Sequence, residues 1–276
     1  MSVPSLIVSS LLNLTKNIEQ MVLLSNLVIA SLGSSYASGP GIVPQLDPKE
    51  ASRSGNNYAH LLAAKLPGSD LTDLSISGAT LSTILNKTQT SGGVTFQPQL
   101  NGVPADADLV LILGGGNDIN YNGGLIGDTN SSVDVSALSQ KYGTVLDAIH
   151  EKAENAQVMV VTYLTVLGGD VIPAGEPGAN VAFNASRVAY HQGIAEKLRQ
   201  ATVGAIDGRE EWAEVLDVVE PSWSHGVGSS DPWMNGNTDP KYHPIAEGHV
   251  AIADMLYERL CASANGKVQR KIKARL

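Results

Sequence analysis

This chain of 276 residues has one cysteine, Cys261. No intrachain disulfide can form, and no thiolate metal centre can be built. Cys261 falls in an amphipathic helical pattern and reads as a buried structural thiol. Positive charge is scarce: 18 Lys and Arg stand against 27 Asp and Glu, a formal net charge of −9. That balance argues against nucleic acid and against an anionic membrane as main partners. The one basic cluster, Lys267, Arg270, Lys271, Lys273 and Arg275, reads as a frayed, solvated tail over residues 265–276. Long apolar runs are missing as well. Residues 5–14 and Met21–Leu24 are mildly apolar, and neither is long enough to cross a bilayer. No basic residue precedes the first patch and no clear small-residue cleavage site follows it, so residues 1–26 read as an N-terminal extension. Sequons at Asn13, Asn86, Asn130 and Asn184 are of the kind that chance supplies in a chain rich in Asn, Ser and Thr. The compartment and the oligomeric state stay open.

Aromatics are few at 5%, whereas hydrophobic residues make up 43% and glycines number 28. Glycine-rich, Val/Ile/Leu/Ala-rich composition suits a parallel sheet buried under helices. Five β-prone runs lie near Leu27–Leu32, Leu71–Ser77, Asp108–Leu113, Gln157–Leu164 and Val215–Val219. The third is apolar throughout, as a central strand buried on both faces must be. Helical patterns fall between and after the runs, at about 52–65, 80–85, 135–155, 184–202 and 244–261. Alternation at this spacing predicts βαβ units, a parallel sheet and right-handed crossovers in one domain, residues 27–264. The Gly/Asn/Ser/Pro-rich stretches 88–104, 120–132, 168–180 and 222–242 read as loops.

Four short blocks fall where strands end or helices begin, the rim on which open α/β folds gather their chemistry. They are Gly33-Ser-Ser-Tyr36, Ser75-Ile-Ser-Gly-Ala-Thr80, Gly114-Gly-Gly-Asn-Asp118 and Asp239-Pro-Lys-Tyr-His-Pro244 with Gly248-His249. Acyl transfer needs an activated hydroxyl, a base able to protonate the leaving alcohol, and donors for the oxyanion. Ser35 can be the hydroxyl and His243 the base. The N–H groups of Ser35 and Gly78 and the side-chain amide of Asn117 can be the donors. Each residue alone has a plainer reading: a turn serine, a turn glycine, a helix-capping asparagine, a packed histidine. The Gly114–Gly116 run lacks both the spacing and the lysine of a phosphate loop. His60, His150, His191 and His225 lack metal-ligand spacing. His249 reads as a packed or supporting residue. Trp212, Trp223 and Trp233 read as packing residues, with Trp233 a candidate for the pocket mouth.

In this order the four blocks resemble the SGNH, or GDSL-type, hydrolase family. The resemblance runs from Gly33 to His249. It implies a three-layer α/β/α, flavodoxin-like fold with about five parallel strands. It also implies hydrolysis of small-molecule esters or thioesters by Ser35, with no cofactor and no metal. The sequence departs from the family at two points. Serine occupies position 34, where an aspartate usually supports the nucleophile. Proline occupies position 240, three residues before the histidine, where the family places its orienting aspartate. Asp239 therefore stands as the third catalytic candidate, against a backbone carbonyl such as that of Pro240. Serine esterase is the first reading. A deacetylase of sugars or natural products, a thioesterase, or a binding protein on the same scaffold are the alternatives.

Overall fold

The computed structural model describes residues 24–275, with side chains through residue 264. The apolar stretch 5–14 and the Asn13 sequon lie outside the described residues. In chain order the elements are β1 (Val28–Gly33), α1 (Ser35–Ser38), α2 (Tyr58–Lys65), β2 (Asp70–Asp73), α3 (Leu81–Leu85), β3 (Gln89–Ser91), β4 (Val94–Phe96) and β5 (Leu109–Leu113). There follow α4 (Tyr121–Gly127), α5 (Val135–Lys152), β6 (Gln157–Val161), α6 (Ala185–Gly204), β7 (Ala213–Leu216) and α7 (Ala246–Arg275).

Five strands form one parallel sheet in the order β2-β1-β5-β6-β7. This is the flavodoxin-like order, and right-handed crossovers put α2 and α7 on one face and α5 and α6 on the other. α2 packs against α7, and α5 against α6. β5 is buried along its whole length, and β1 from Ile29 onward. Continuous apolar strands are what a sheet covered on both faces demands. Helix starts follow from local chemistry. Asn57 accepts the N–H groups of Ala59 and His60 at the start of α2, and Asp134 and Asn184 cap α5 and α6. The carboxamide of the Asn184 sequon is thus a helix cap.

The expected strands all form, with shifted ends. The second ends at Asp73, although the Leu74 and Ile76 N–H groups still donate to the Ser31 and Gly33 carbonyls of β1 at 2.8 and 3.1 Å before the chain turns at Gly78. Two stretches read as loops contain structure. Residues 88–104 hold the β3–β4 hairpin, and 120–132 hold α4. Their turn residues hide short elements that tertiary contacts stabilise. The helix read as ending near residue 261 runs to Arg275, so the basic cluster falls within its last turns. Among the described residues no helix is long and apolar enough to cross a membrane.

Candidate active site

The sheet order reverses between β1 and β5, and the four sequence blocks meet at the carboxyl ends of these two strands. β1 ends at Gly33 with φ +147°, and a Cβ there would lie 2.1 Å from the Leu113 carbonyl oxygen. Only glycine allows that approach, and it lets the chain turn straight into α1. Ser35 is the first residue of that short helix and is 6% exposed. Its backbone N–H makes no hydrogen bond among the described residues.

The end of β1 is clamped by a residue the sequence did not single out. Buried Gln99 accepts the Gly33 N–H at 2.8 Å and donates to the Gly33 carbonyl at 2.9 Å. A glutamine 66 residues away, at the start of a short 3-10 turn, carries no sequence signal of that role. Ser34, in place of the usual aspartate, shares a hydrogen bond of 3.1 Å with the Tyr163 hydroxyl. The same hydroxyl accepts the Gly116 N–H at 3.0 Å, and burial pushes its pKa up to about 12, which keeps it neutral. The chain Ser34–Tyr163–Gly116 therefore joins the Ser35 turn to the Asn117 turn without a carboxylate.

Gly78 sits at φ +84°, a left-handed conformation that favours glycine, and its N–H likewise has no partner among the described residues. Three contacts hold its turn. Gln89 of the β3–β4 hairpin donates to the Ser77 carbonyl at 2.7 Å, Arg53 donates to the Ser75 carbonyl at 2.9 Å, and the Ser77 N–H donates to Ala51 at 2.9 Å. Asn117 donates one amide hydrogen to the Ala79 carbonyl at 2.9 Å, which leaves its other hydrogen free. Asp118 accepts the Leu81 N–H at 2.8 Å and pairs with Lys141. Two hydrogen bonds thus tie the Gly78 turn to the Asn117 turn.

His243 closes the site. Its Nε2 lies 2.9 Å from Ser35 Oγ, and its Nδ1 lies 2.8 Å from the Lys241 carbonyl oxygen. A carbonyl only accepts, so Nδ1 carries the proton and Nε2 presents a lone pair to the serine hydroxyl. Burial lowers the imidazole pKa below its ordinary value, and the Lys241 and Pro240 carbonyls pull it partly back. Asp239 is exposed and makes no hydrogen bond to the ring. The Pro240 carbonyl instead accepts from Asn235 at 3.3 Å. Of the two expected orienters, Asp239 or a backbone carbonyl, the ring nitrogen meets a carbonyl, that of Lys241 rather than Pro240. The cause is local backbone: Tyr242 at φ +56° turns the chain so that the carbonyl two residues before His243 faces its ring. Tyr36 fastens that turn by donating to the Tyr242 carbonyl, and its own ring lies 5.3 Å from the imidazole.

His249 is fully buried, and its Nδ1 accepts the Tyr58 N–H at 3.0 Å. Burial drives its pKa down to about 4, so it stays neutral and supports α2. Trp233 stacks on His225 at 3.9 Å, while Trp223, read as packing, lines a cavity beside the site. Among the described residues no group of three or more His, Cys, Asp or Glu could hold a metal ion.

A sequence model of the GDSL-like lipase/acylhydrolase family matches residues 31–251, well over half of the chain. No curated protein gives a significant match. Among solved structures, an extracellular lipase from Streptomyces rimosus superposes with a TM-score of 0.64 at 23% identity, over 83% of this chain and 98% of that one. A phospholipase A1 from Streptomyces albidoflavus gives 0.64 at 19% identity, over 83% and 99%. A carbohydrate acetylesterase from Sinorhizobium meliloti gives 0.52 at 15%, over 86% and 99%. At these identities the likeness is one of fold.

Proposed function

The chain belongs to the GDSL-like lipase/acylhydrolase family and is a carboxylic ester hydrolase of the SGNH type, and on that premise we propose that Ser35 and His243 carry the reaction as a dyad. His243 Nε2 takes the proton of Ser35 Oγ as that oxygen attacks the ester carbonyl carbon. The carbonyl oxygen becomes an oxyanion held by the N–H groups of Ser35 and Gly78 and the free amide hydrogen of Asn117. The tetrahedral intermediate collapses and its bond to the alkoxy oxygen breaks. His243 returns the proton to that oxygen, and the alcohol leaves an acyl-Ser35. Water then gives a proton to His243 and attacks the acyl carbon. Collapse breaks the acyl–Oγ bond, His243 reprotonates Ser35, and the carboxylic acid departs.

One observation carries the reading: the 2.9 Å contact from Ser35 Oγ to an imidazole nitrogen whose tautomer is set by a carbonyl on its other side. The Lys241 carbonyl dipole does the orienting work of a carboxylate and stabilises the imidazolium in the transition state. An imidazole that has a partner on one side and touches Ser35 on the other favours this reading over a non-catalytic scaffold. The test is hydrolysis of p-nitrophenyl acetate together with labelling by a fluorophosphonate. Ser35→Ala is expected to lose labelling and about 10³-fold or more in kcat. An unlabelled wild type, or equal turnover by the variant, refutes the proposal.

A further inference from the structure

A cavity of about 230 Å³ lies between α6 and the chain leaving β6, and it shares two walls, Tyr121 and Tyr163, with the crevice that holds Ser35 and Asn117. Its surface is mostly apolar, from Leu125, Leu164, Val166, Ala195, Val219 and Trp223. Four of the polar side chains around it, those of His191, Gln192, Thr165 and Arg199, are engaged elsewhere. His191 pairs with Asp128 at 2.9 Å, and Gln192 donates to the Leu167 carbonyl at 3.0 Å. Thr165 donates to the Val219 carbonyl at 2.8 Å. Arg199 is held by Asp217 at 2.7 Å and by Glu196 at 3.3 Å. These bonds engage the polar groups with one another or with backbone, which favours an apolar guest over a sugar, whose hydroxyls would lose water without replacement.

Size narrows the guest further. Pockets for drug-sized ligands span roughly 300–1,000 Å³, and this one is a little smaller, matching one alkyl chain rather than a ring system. The two shared walls differ in freedom. Tyr163 is pinned through its hydroxyl by Ser34 and Gly116. Tyr121 opens α4, whose sequence Tyr-Asn-Gly-Gly-Leu-Ile-Gly has three glycines, and its hydroxyl has no hydrogen bond among the described residues.

We propose that this cavity receives a medium-chain acyl group of the ester, which enters past the Tyr121 ring while its carbonyl sits at Ser35. The inference rests on Ser35 being the nucleophile, and it assigns the acyl side of the substrate. Ala195, midway along α6, faces the cavity, so a larger side chain there fills it.

The experiment compares p-nitrophenyl octanoate with p-nitrophenyl acetate for the wild type and for Ala195→Phe. The octanoate-to-acetate ratio of kcat/KM is expected to fall at least tenfold in the variant. A smaller fall in a folded variant overturns the cavity assignment and leaves Ser35 catalysis standing. A wild type that hydrolyses neither ester overturns the Ser35 reading and this one with it. A second measurement does not depend on the variant folding: a crystal structure of wild type treated with an octylphosphonofluoridate, in which Ser35 Oγ displaces fluoride. The alkyl tail is expected between Leu125 and Ala195. A tail lying anywhere else overturns the proposal.

Discussion

Replacing Asp239 with asparagine separates a dyad from a triad. Where a carboxylate holds the imidazole, the Asp-to-Asn change typically costs about 10⁴-fold in kcat, or roughly 5 kcal/mol of barrier, because the amide stabilises the wrong tautomer. Here the imidazole Nδ1–H is 2.8 Å from the Lys241 carbonyl, and Asp239 is exposed and not bonded to the ring. The groups that shift the His243 pKa are burial and the Lys241 and Pro240 carbonyls, with no contribution from Asp239. What Asp239 retains is a screened, solvent-exposed charge, whose effect on a neighbour is typically about 1 kcal/mol or less. Asp239→Asn should therefore lower kcat/KM on p-nitrophenyl acetate by less than about fivefold, with the midpoint of its pH profile unmoved. A loss of about 10²-fold or more, measured on protein with an unchanged melting temperature, would refute the carbonyl-oriented dyad.

Three further outcomes follow from the same geometry. The base works in its neutral form and burial lowers its pKa, so kcat/KM should fall only as pH drops through a midpoint below the ordinary imidazole value; a midpoint above that value contradicts the burial argument. Asn117→Ala removes the proposed oxyanion donor and the tether to Ala79, and should cost about 10²–10³-fold in kcat with a smaller change in KM. His249 binds its proton at about 4 when folded but near the ordinary 6.5 when unfolded. Its share of stability is therefore complete above that ordinary value and is lost as pH falls toward 4. The loss is on the order of 3 kcal/mol, and thermal melts of His249→Asn, which cannot titrate, should show a correspondingly shallower acid decline.

Much of the site was legible in the chain because it is made of local events. A strand ending in glycine, a serine at the start of a helix and a Gly-Gly-Asn-Asp turn are each written in a few neighbouring residues. The strand–helix alternation then puts all of them on one rim of the sheet. Elements held by distant contacts were harder to read. The β3–β4 hairpin and α4 looked like loops, since Gly, Asn and Ser mark turns whether or not neighbouring residues pair. Gln99 and Tyr163 carry no motif, and their value lies in reaching the backbone of Gly33 and Gly116 across the fold.

The sequence by itself determined the strand–helix alternation and put Ser35, Gly78, Asn117 and His243 at strand ends and helix starts as candidates, because hydrophobic period and turn chemistry are one-dimensional properties. The partner of the imidazole was a tertiary decision. Asp239 and the carbonyls of Pro240 and Lys241 are near neighbours in sequence, and only the left-handed turn at Tyr242, fastened by Tyr36 from the far end of the chain, sets which oxygen meets Nδ1. The cavity behind Tyr121 and Tyr163 is likewise tertiary, since it exists only where α4, α6 and the chain leaving β6 come together.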